Sequence, residues 1–211
     1  MDNIQSLQQA ICQNKCGCNT KRQIKGRFLG LGNFNAKIMF ICERPGWHTT
    51  GSSYNSKPLA HGITLLGNRS GDFFFECLAD IGLSINDVYI TNLVKCQAEN
   101  NRISNDEEIF SCSQHLLKEI EIIRPHFIII MGRVVMKYFF PEEGSVLAIS
   151  GTAFKKHSRE VPMNIGDEIT YYILPHPAWA LRSKEEVKYK EMFRKILKLE
   201  NKTITLQRYC E

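Results

Sequence analysis

The sequence predicts an α/β fold: a three-layer αβα sandwich around a central, mainly parallel four-stranded sheet. Three observations carry that expectation. Four short apolar runs, 37–43, 88–94, 127–132 and 169–174, have the length and composition of strands buried on both faces. Helical patterns lie between them, and strands alternating with helices through right-handed crossovers give a parallel sheet covered on both sides. The strands also finish in chemically useful residues, Glu43, Asn92 and His176. They finish at the carboxyl edge, where open α/β sheets bind ligands.

Taken in order, residues 3–14 have Ile4, Leu7 and Ile11 on one helical face. Cys12, Cys16 and Cys18 follow, and the polar, glycine-containing stretch 19–36 has room for a short edge strand. The first core strand runs into Glu43-Arg44-Pro45-Gly46, where Pro and Gly stop it and force a turn. Residues 47–64 form a polar inserted loop, long for a compact domain and therefore expected to be functional or mobile. A helix over 69–81 ends at Gly82, and the second core strand follows. Asn105-Asp106-Glu107-Glu108 starts a helix that runs to about Ile123, its acidic first turn complementing the helix dipole. After the third strand come a short helix over 133–140 and a β-hairpin expected within 145–165. The fourth strand ends in Pro175-His176-Pro177, and a charged amphipathic helix over 183–199 turns Val187, Met192, Phe193, Ile196 and Leu197 inward.

At 211 residues the chain suits a single domain, 1–211, with a sizeable core. Lys+Arg 27 against Asp+Glu 22 leaves +5, a mild excess compatible with a nucleic-acid partner. No apolar run approaches the roughly 18 residues of a membrane span. The N-terminus, Met1-Asp2-Asn3-Ile4-Gln5, lacks the basic and apolar regions of a secretory leader, so a cytoplasmic location is expected; a monomer is expected as well. Eight cysteines in such a chain argue against a disulfide framework and towards metal binding or plain burial. Cys96 and Cys112, with Cys12, Cys16 and Cys18, could supply four thiolates to zinc or an iron–sulfur cluster. Small buried residues are the alternative, and Cys42, Cys77 and Cys210 are expected simply to pack.

Glu43, Asn92 and His176 form a recognisable kit on one sheet edge. An amide reads a planar hydrogen-bonding edge, an imidazole donates to developing negative charge, and a carboxylate handles water or positive charge. Each alone also has an ordinary explanation: a solvated Glu at a strand exit, a strand-capping Asn, a turn His between prolines.

At these residues the chain resembles the iron–sulfur uracil-DNA glycosylases, family four of that superfamily, from about Cys12 to Arg182. Val88-Tyr89-Ile90-Thr91-Asn92-Leu93-Val94-Lys95-Cys96 is similar to the family's VYITNxVKC and is followed, as there, by Asn101-Arg102, an acidic helix start and Cys112. His176-Pro177-Ala178-Trp179-Ala180-Leu181-Arg182 resembles HPAYLLR, and Glu43-Arg44-Pro45-Gly46 resembles GE-x-PG. The resemblance implies a [4Fe–4S] cluster on Cys96, Cys112 and two N-terminal cysteines, Cys16 and Cys18, with Cys12 as the alternative first ligand. It implies a uracil-DNA glycosylase-like domain in which Glu43, Asn92 and His176 are catalytic. Arg44, Pro45, Gly46, Leu65, Leu66 and Asn92 would surround the base, and Trp179, Leu181, Arg182 and Arg102 would contact DNA.

The chain departs from the family at several points. Cys42 stands in place of Gly, Arg44 in place of a small residue, and Trp47-His48-Thr49-Thr50 where an acidic residue is common. Leu65-Leu66-Gly67 replaces an aromatic followed by Val-Gly. Fold and cluster follow from the resemblance, whereas the base remains open. The expected activity is monofunctional removal of a flipped-out pyrimidine, uracil or a modified one. One alternative is an enlarged pocket that removes bulky, for example glucosylated, cytosine from phage DNA as a defence. Others are a non-catalytic iron–sulfur module that binds nucleic acid, and electron transfer through the cluster, which leaves Asn92 and His176 idle.

Overall fold

A computed structural model describes residues 4–7, 9, 29–46, 65, 68–155 and 169–208, excepting the side chains of 99 and 198–208. Six strands form one sheet: β1 Leu31–Gly32, β2 Ile38–Cys42, β3 Val88–Asn92, β4 Phe127–Met131, β5 Ala153–Phe154 and β6 Thr170–Leu174. Their order is β1-β3-β2-β4-β6-β5. The central four are parallel, with Cys42 beside Asn92 and Met131 beside Leu174. β1 and β5 are two-residue antiparallel edges, so the four-stranded parallel sheet expected from sequence is the core of a six-stranded mixed one. Short edges of this kind limit the unpaired backbone a sheet presents to other chains.

The helices are α1 Arg69–Ala79, α2 Asp106–Ile123, α3 Arg133–Phe139, α4 Val146–Ile149, α5 Pro177–Ser183 and α6 Glu186–Arg208. Side chains of a strand alternate between faces, and β2 divides the core accordingly. Met39 and Ile41 join Leu116 and Ile120 of α2 and Val135, Met136 and Phe139 of α3 in one layer. Ile38, Phe40 and Cys42 join Phe73, Phe74, Cys77 and Leu78 of α1 and Tyr189, Phe193, Ile196 and Leu197 of α6 in the other. Phe40 meets Phe74 edge-on at 5.0 Å between centroids and lies parallel to Phe193 at 5.9 Å, both favourable aromatic geometries.

The connections place the ligand edge. From β2 the chain passes through α1, on one face, to β3; from β3 it crosses β2 through α2, on the opposite face, to β4. The winding therefore reverses at β2, and the carboxyl end of β2 is a topological switch point, the position where open α/β sheets form a crevice. Glu43 is the first residue beyond it.

Two expectations change. Of the hairpin expected within 145–165, the described part, 145–155, holds a single turn of helix, α4, followed by β5, whose partner is β6. Ser145 caps α4, its side chain accepting the Ala148 N–H, which commits this stretch to helix. Residues 156–168 lie outside the described residues, as do the whole of the loop 47–64 and the cysteines at 12, 16 and 18. The last helix begins at Glu186, because His176-Pro177 opens a separate helix, α5, that ends at Lys184 in the left-handed region. Trp179, Leu181 and Arg182 therefore lie on α5.

Candidate active site

The register brings the three strand-terminal groups to one edge. Cys42 and Asn92 are neighbours, and the ladder continues past them through Leu93 N–H to Cys42 O (2.8 Å) and Val94 N–H to Glu43 O (2.9 Å). His176 follows β6, separated from β2 only by β4. Adjacent strands lie about 4.8 Å apart, so all three groups stand close together along the carboxyl edge of the sheet.

His176 is the N-cap of α5. Its Nδ1 accepts the Ala178 N–H at 3.2 Å, and Pro177 occupies the first helical position, where its missing N–H costs nothing. Desolvation, and then the nearby Arg182 charge, pushes its pKa down to about 4. The ring is therefore neutral at pH 7, and with Nδ1 already accepting, its proton sits on Nε2 as a fixed donor.

Asn92 is buried, 1% exposed. Beneath it lies an ionic network that the sequence reading missed. Lys95 Nζ donates to the Asn92 carbonyl (2.7 Å), to Thr91 Oγ1 (2.8 Å) and to Glu119 Oε2 (2.6 Å). Glu119 also accepts from the Thr91 hydroxyl, the Gly30 N–H and Tyr89 Oη. Lys95 and Glu119 are 1% and 0% exposed, so each charge depends on the other. The network ties β3, α2 and the residue just ahead of β1 into one body under Asn92.

Glu43 is held from a second direction. Its Oε1 accepts the Ser104 N–H at 2.7 Å and the Ser104 hydroxyl at 2.9 Å. Arg44 does not extend into the crevice: its side chain, 5% exposed, donates Nε and Nη2 to Ser104 Oγ and Nη2 to Glu108 Oε2. Arg102 also goes to Glu108, through Nη1 (2.9 Å) and Nη2 (2.6 Å), although its own side chain is 40% exposed. Glu108 closes a capping box with Asn105 at the start of α2. Burial alone would raise its pKa, but the hydrogen bonds from Arg102, the Asn105 N–H and Arg44 prevail and hold it down to about 2. The spacing Asn105-x-x-Glu108 is a legible helix-start signal; the role of Ser104 and the two arginines sharing Glu108 have none.

Pro45 is buried, and the Gly46 carbonyl accepts from Gln97 Nε2 at 2.7 Å, which fastens the Pro-Gly turn to the segment after β3. Leu65 is buried among the residues under α1, with φ at 68°, an uncommon conformation for a side chain of its size. Its carbonyl oxygen lies 1.3 Å from where a Cβ on Gly71 would be, so only glycine admits it there. Leu66 lies outside the described residues. On α5, Arg182 is exposed, while Trp179 and Leu181 are half-buried against the α1 and α6 layer.

Cys96 and Cys112 are both buried and belong to the same layer as α2. One turn after Cys112, His115 is buried, and neither ring nitrogen has a hydrogen-bond partner among the described residues. Two buried thiols in one core layer could supply half of a four-thiolate set; the described residues contain no group of three or more metal ligands, and the N-terminal cysteines lie outside them. Cys42 and Cys77 pack as expected, their thiol pKa values raised chiefly by burial, that of Cys77 to about 12.

A parallel sheet with a carboxylate, an amide and a neutral imidazole at its switch point defines an α/β protein with polar groups at the edge where such sheets bind ligands. Residues 29–199 match the uracil DNA glycosylase superfamily. The chain is 36% identical over 214 residues to a type-4 uracil-DNA glycosylase of Saccharolobus solfataricus, covering 99% of this chain and 92% of that one. It is 30% identical over 172 residues to the type-4 enzyme of Archaeoglobus fulgidus (79% and 78% covered) and 30% over 215 residues to that of Sulfurisphaera tokodaii (99% and 89%). The chain belongs to the uracil DNA glycosylase superfamily.

Proposed function

We propose that this protein is a monofunctional DNA glycosylase that hydrolyses the N-glycosidic bond of a flipped-out pyrimidine nucleotide, with uracil as the principal base. The observation that carries the reading is the neutral His176, whose Nδ1 is occupied by Ala178 and whose remaining proton is therefore offered from Nε2. The names of the three relatives given above, each a type-4 uracil-DNA glycosylase, support it.

The base leaves the stack at a cost of a few kcal/mol, least when it is mispaired. The bond between C1′ and the base nitrogen then breaks, its electron pair going to the base. The Nε2–H of His176 donates to the oxygen that gains negative charge, a contribution of roughly 3 kcal/mol for one well-placed donor. A neutral donor keeps its proton on the ring as charge develops. Asn92 offers the planar edge of the base an amide, with one acceptor and one donor side by side. Glu43 faces the positive sugar and orients the water whose oxygen bonds to C1′; the water's proton passes to the carboxylate and then to solvent or the departing base. Trp179 and Leu181 act as the wedge that fills the vacated stack, and Arg182 contacts phosphate. Cys96 and Cys112, with two of Cys12, Cys16 and Cys18, would hold a [4Fe–4S] cluster, which supplies a structural tie between the N-terminal segment and the sheet.

The test is mass spectrometry of bases released from uracil-containing, unmodified and glucosylated-cytosine DNA. Free uracil with an abasic strand is the expected product. Release of glucosylated cytosine in preference to uracil replaces the substrate assignment with the enlarged pocket, and binding to all three DNAs with no released base replaces the enzyme with a binding module.

A further inference from the structure

We infer that Ser104, locked by Arg44, is a positioning residue that commits one oxygen of the Glu43 carboxylate and leaves the other to the attacking water. The inference deepens the glycosylase reading and rests on it.

The stoichiometry of the Ser104 hydroxyl is closed. A hydroxyl offers one proton and two lone pairs. Arg44 Nε at 3.0 Å and Nη2 at 2.7 Å both donate to Oγ and fill the lone pairs. The proton has one direction left, towards Glu43 Oε1 at 2.9 Å. The Ser104 N–H reaches the same oxygen at 2.7 Å. Two donors on one oxygen fix both the position and the plane of the carboxylate. Oε2 has no hydrogen bond from any described residue, and the Glu43 side chain keeps 26% of its surface exposed. One oxygen is thus anchored in protein, and the other is left uncommitted on a side chain that reaches solvent.

Arg44 is itself fixed. Nη2 donates to Glu108 Oε2 at 2.8 Å, and Glu108 is gripped by Arg102 and the Asn105 N–H. The order Arg102, Glu108, Arg44, Ser104, Glu43 alternates in sign and sums to zero charge. Arg44 Nε stands 3.8 Å from Glu43, outside hydrogen-bonding range, so the guanidinium balances the carboxylate's charge without occupying its lone pairs. A direct bidentate pair would have filled both oxygens. Interposing a serine hydroxyl keeps the charge balance and the geometry while sparing Oε2. The arginine stands where the resembling family has a small residue, so this relay belongs to the present chain.

The test is a double-mutant cycle on uracil excision from a uracil-containing oligonucleotide, with kcat and KM separated. Ser104→Ala should lower kcat by up to about 100-fold with KM nearly unchanged, the scale of a mispositioned reacting group. Ser104→Thr, which keeps the hydroxyl, should restore most of the rate. In a Glu43→Gln background Ser104→Ala should have less than about a twofold further effect, because the residue acts only through that carboxylate. Should Ser104→Ala fail to fold, Arg44→Met carries the same prediction, since the hydroxyl is then free to turn away from Oε1. Parental kcat in Ser104→Ala, or an equal loss with and without the Glu43 carboxylate, overturns the positioning role and leaves the glycosylase reading intact. A parent protein that releases no base from any DNA overturns both.

Discussion

His176 draws its usefulness from being uncharged. Its folded pKa, near 4, lies below the ordinary histidine value of 6.5. Between those two values the unfolded chain binds the proton and the folded chain does not, so this residue contributes stability that is complete above about pH 6.5 and is lost as pH falls towards 4. In the role proposed for it the same sign applies: the ring stays a neutral donor until the pH nears 4. The excision rate should therefore show no histidine limb near pH 6.5, and any limb that disappears in His176→Gln should lie near 4. A limb at 6.5 that the substitution removes contradicts the assignment. The sequence made His176 legible because a histidine between prolines at a strand end is conspicuous. It could not show the tautomer, which depends on a helix starting at Pro177, nor that Arg44 turns away from the crevice to Ser104, a partner 60 residues distant.

At the scale of elements, α2 is held at both ends of its buried face. Its first turn carries Glu108, whose pKa is held down to about 2 against an ordinary 4.5. The folded value is depressed, so the stability it confers is present above about pH 4.5 and lost as pH falls towards 2. Glu108→Gln should flatten the acid limb of a stability-against-pH curve in that window, and an unchanged limb contradicts the pairing. Further along, Glu119 meets Lys95 in the core. Removing one partner leaves the other buried and unpaired, so Lys95→Met should cost about 3–5 kcal/mol by urea unfolding. Lys95→Met with Glu119→Leu should recover much of that loss; equal costs for single and double variants contradict the coupling. The strands and long helices were legible because apolar runs and capping signals are local. The described part of the 145–165 stretch, 145–155, is hard to read because a one-turn helix followed by a two-residue strand leaves no periodicity, and β5 is defined by its partner, β6.

For the whole molecule, the three-layer architecture follows from residue alternation along β2, which sends Met39 and Ile41 to one helical layer and Phe40 and Cys42 to the other. The reversal of winding at β2 could not be read from the order of elements alone, since it requires knowing that β3 and β4 flank it. No helix among the described residues is long and apolar enough to cross a membrane. The cluster expectation has a plain test: anaerobically purified protein should be brown and contain about four iron and four sulfide per chain, and Cys96→Ala should lower the unfolding midpoint as well as the rate. Stoichiometric zinc, or colourless protein without metal, contradicts it.

The central claim is that Glu43, Asn92 and His176 form one active site on the carboxyl edge of the sheet. Single-turnover release of uracil from duplex DNA, measured for the parent, His176→Ala and Asn92→Ala alongside duplex binding, tests it most directly. Each variant should lose about 100-fold or more in rate while binding duplex nearly as tightly as the parent, because phosphate contacts dominate affinity. Parental excision by both variants, or no excision by the parent, contradicts the claim.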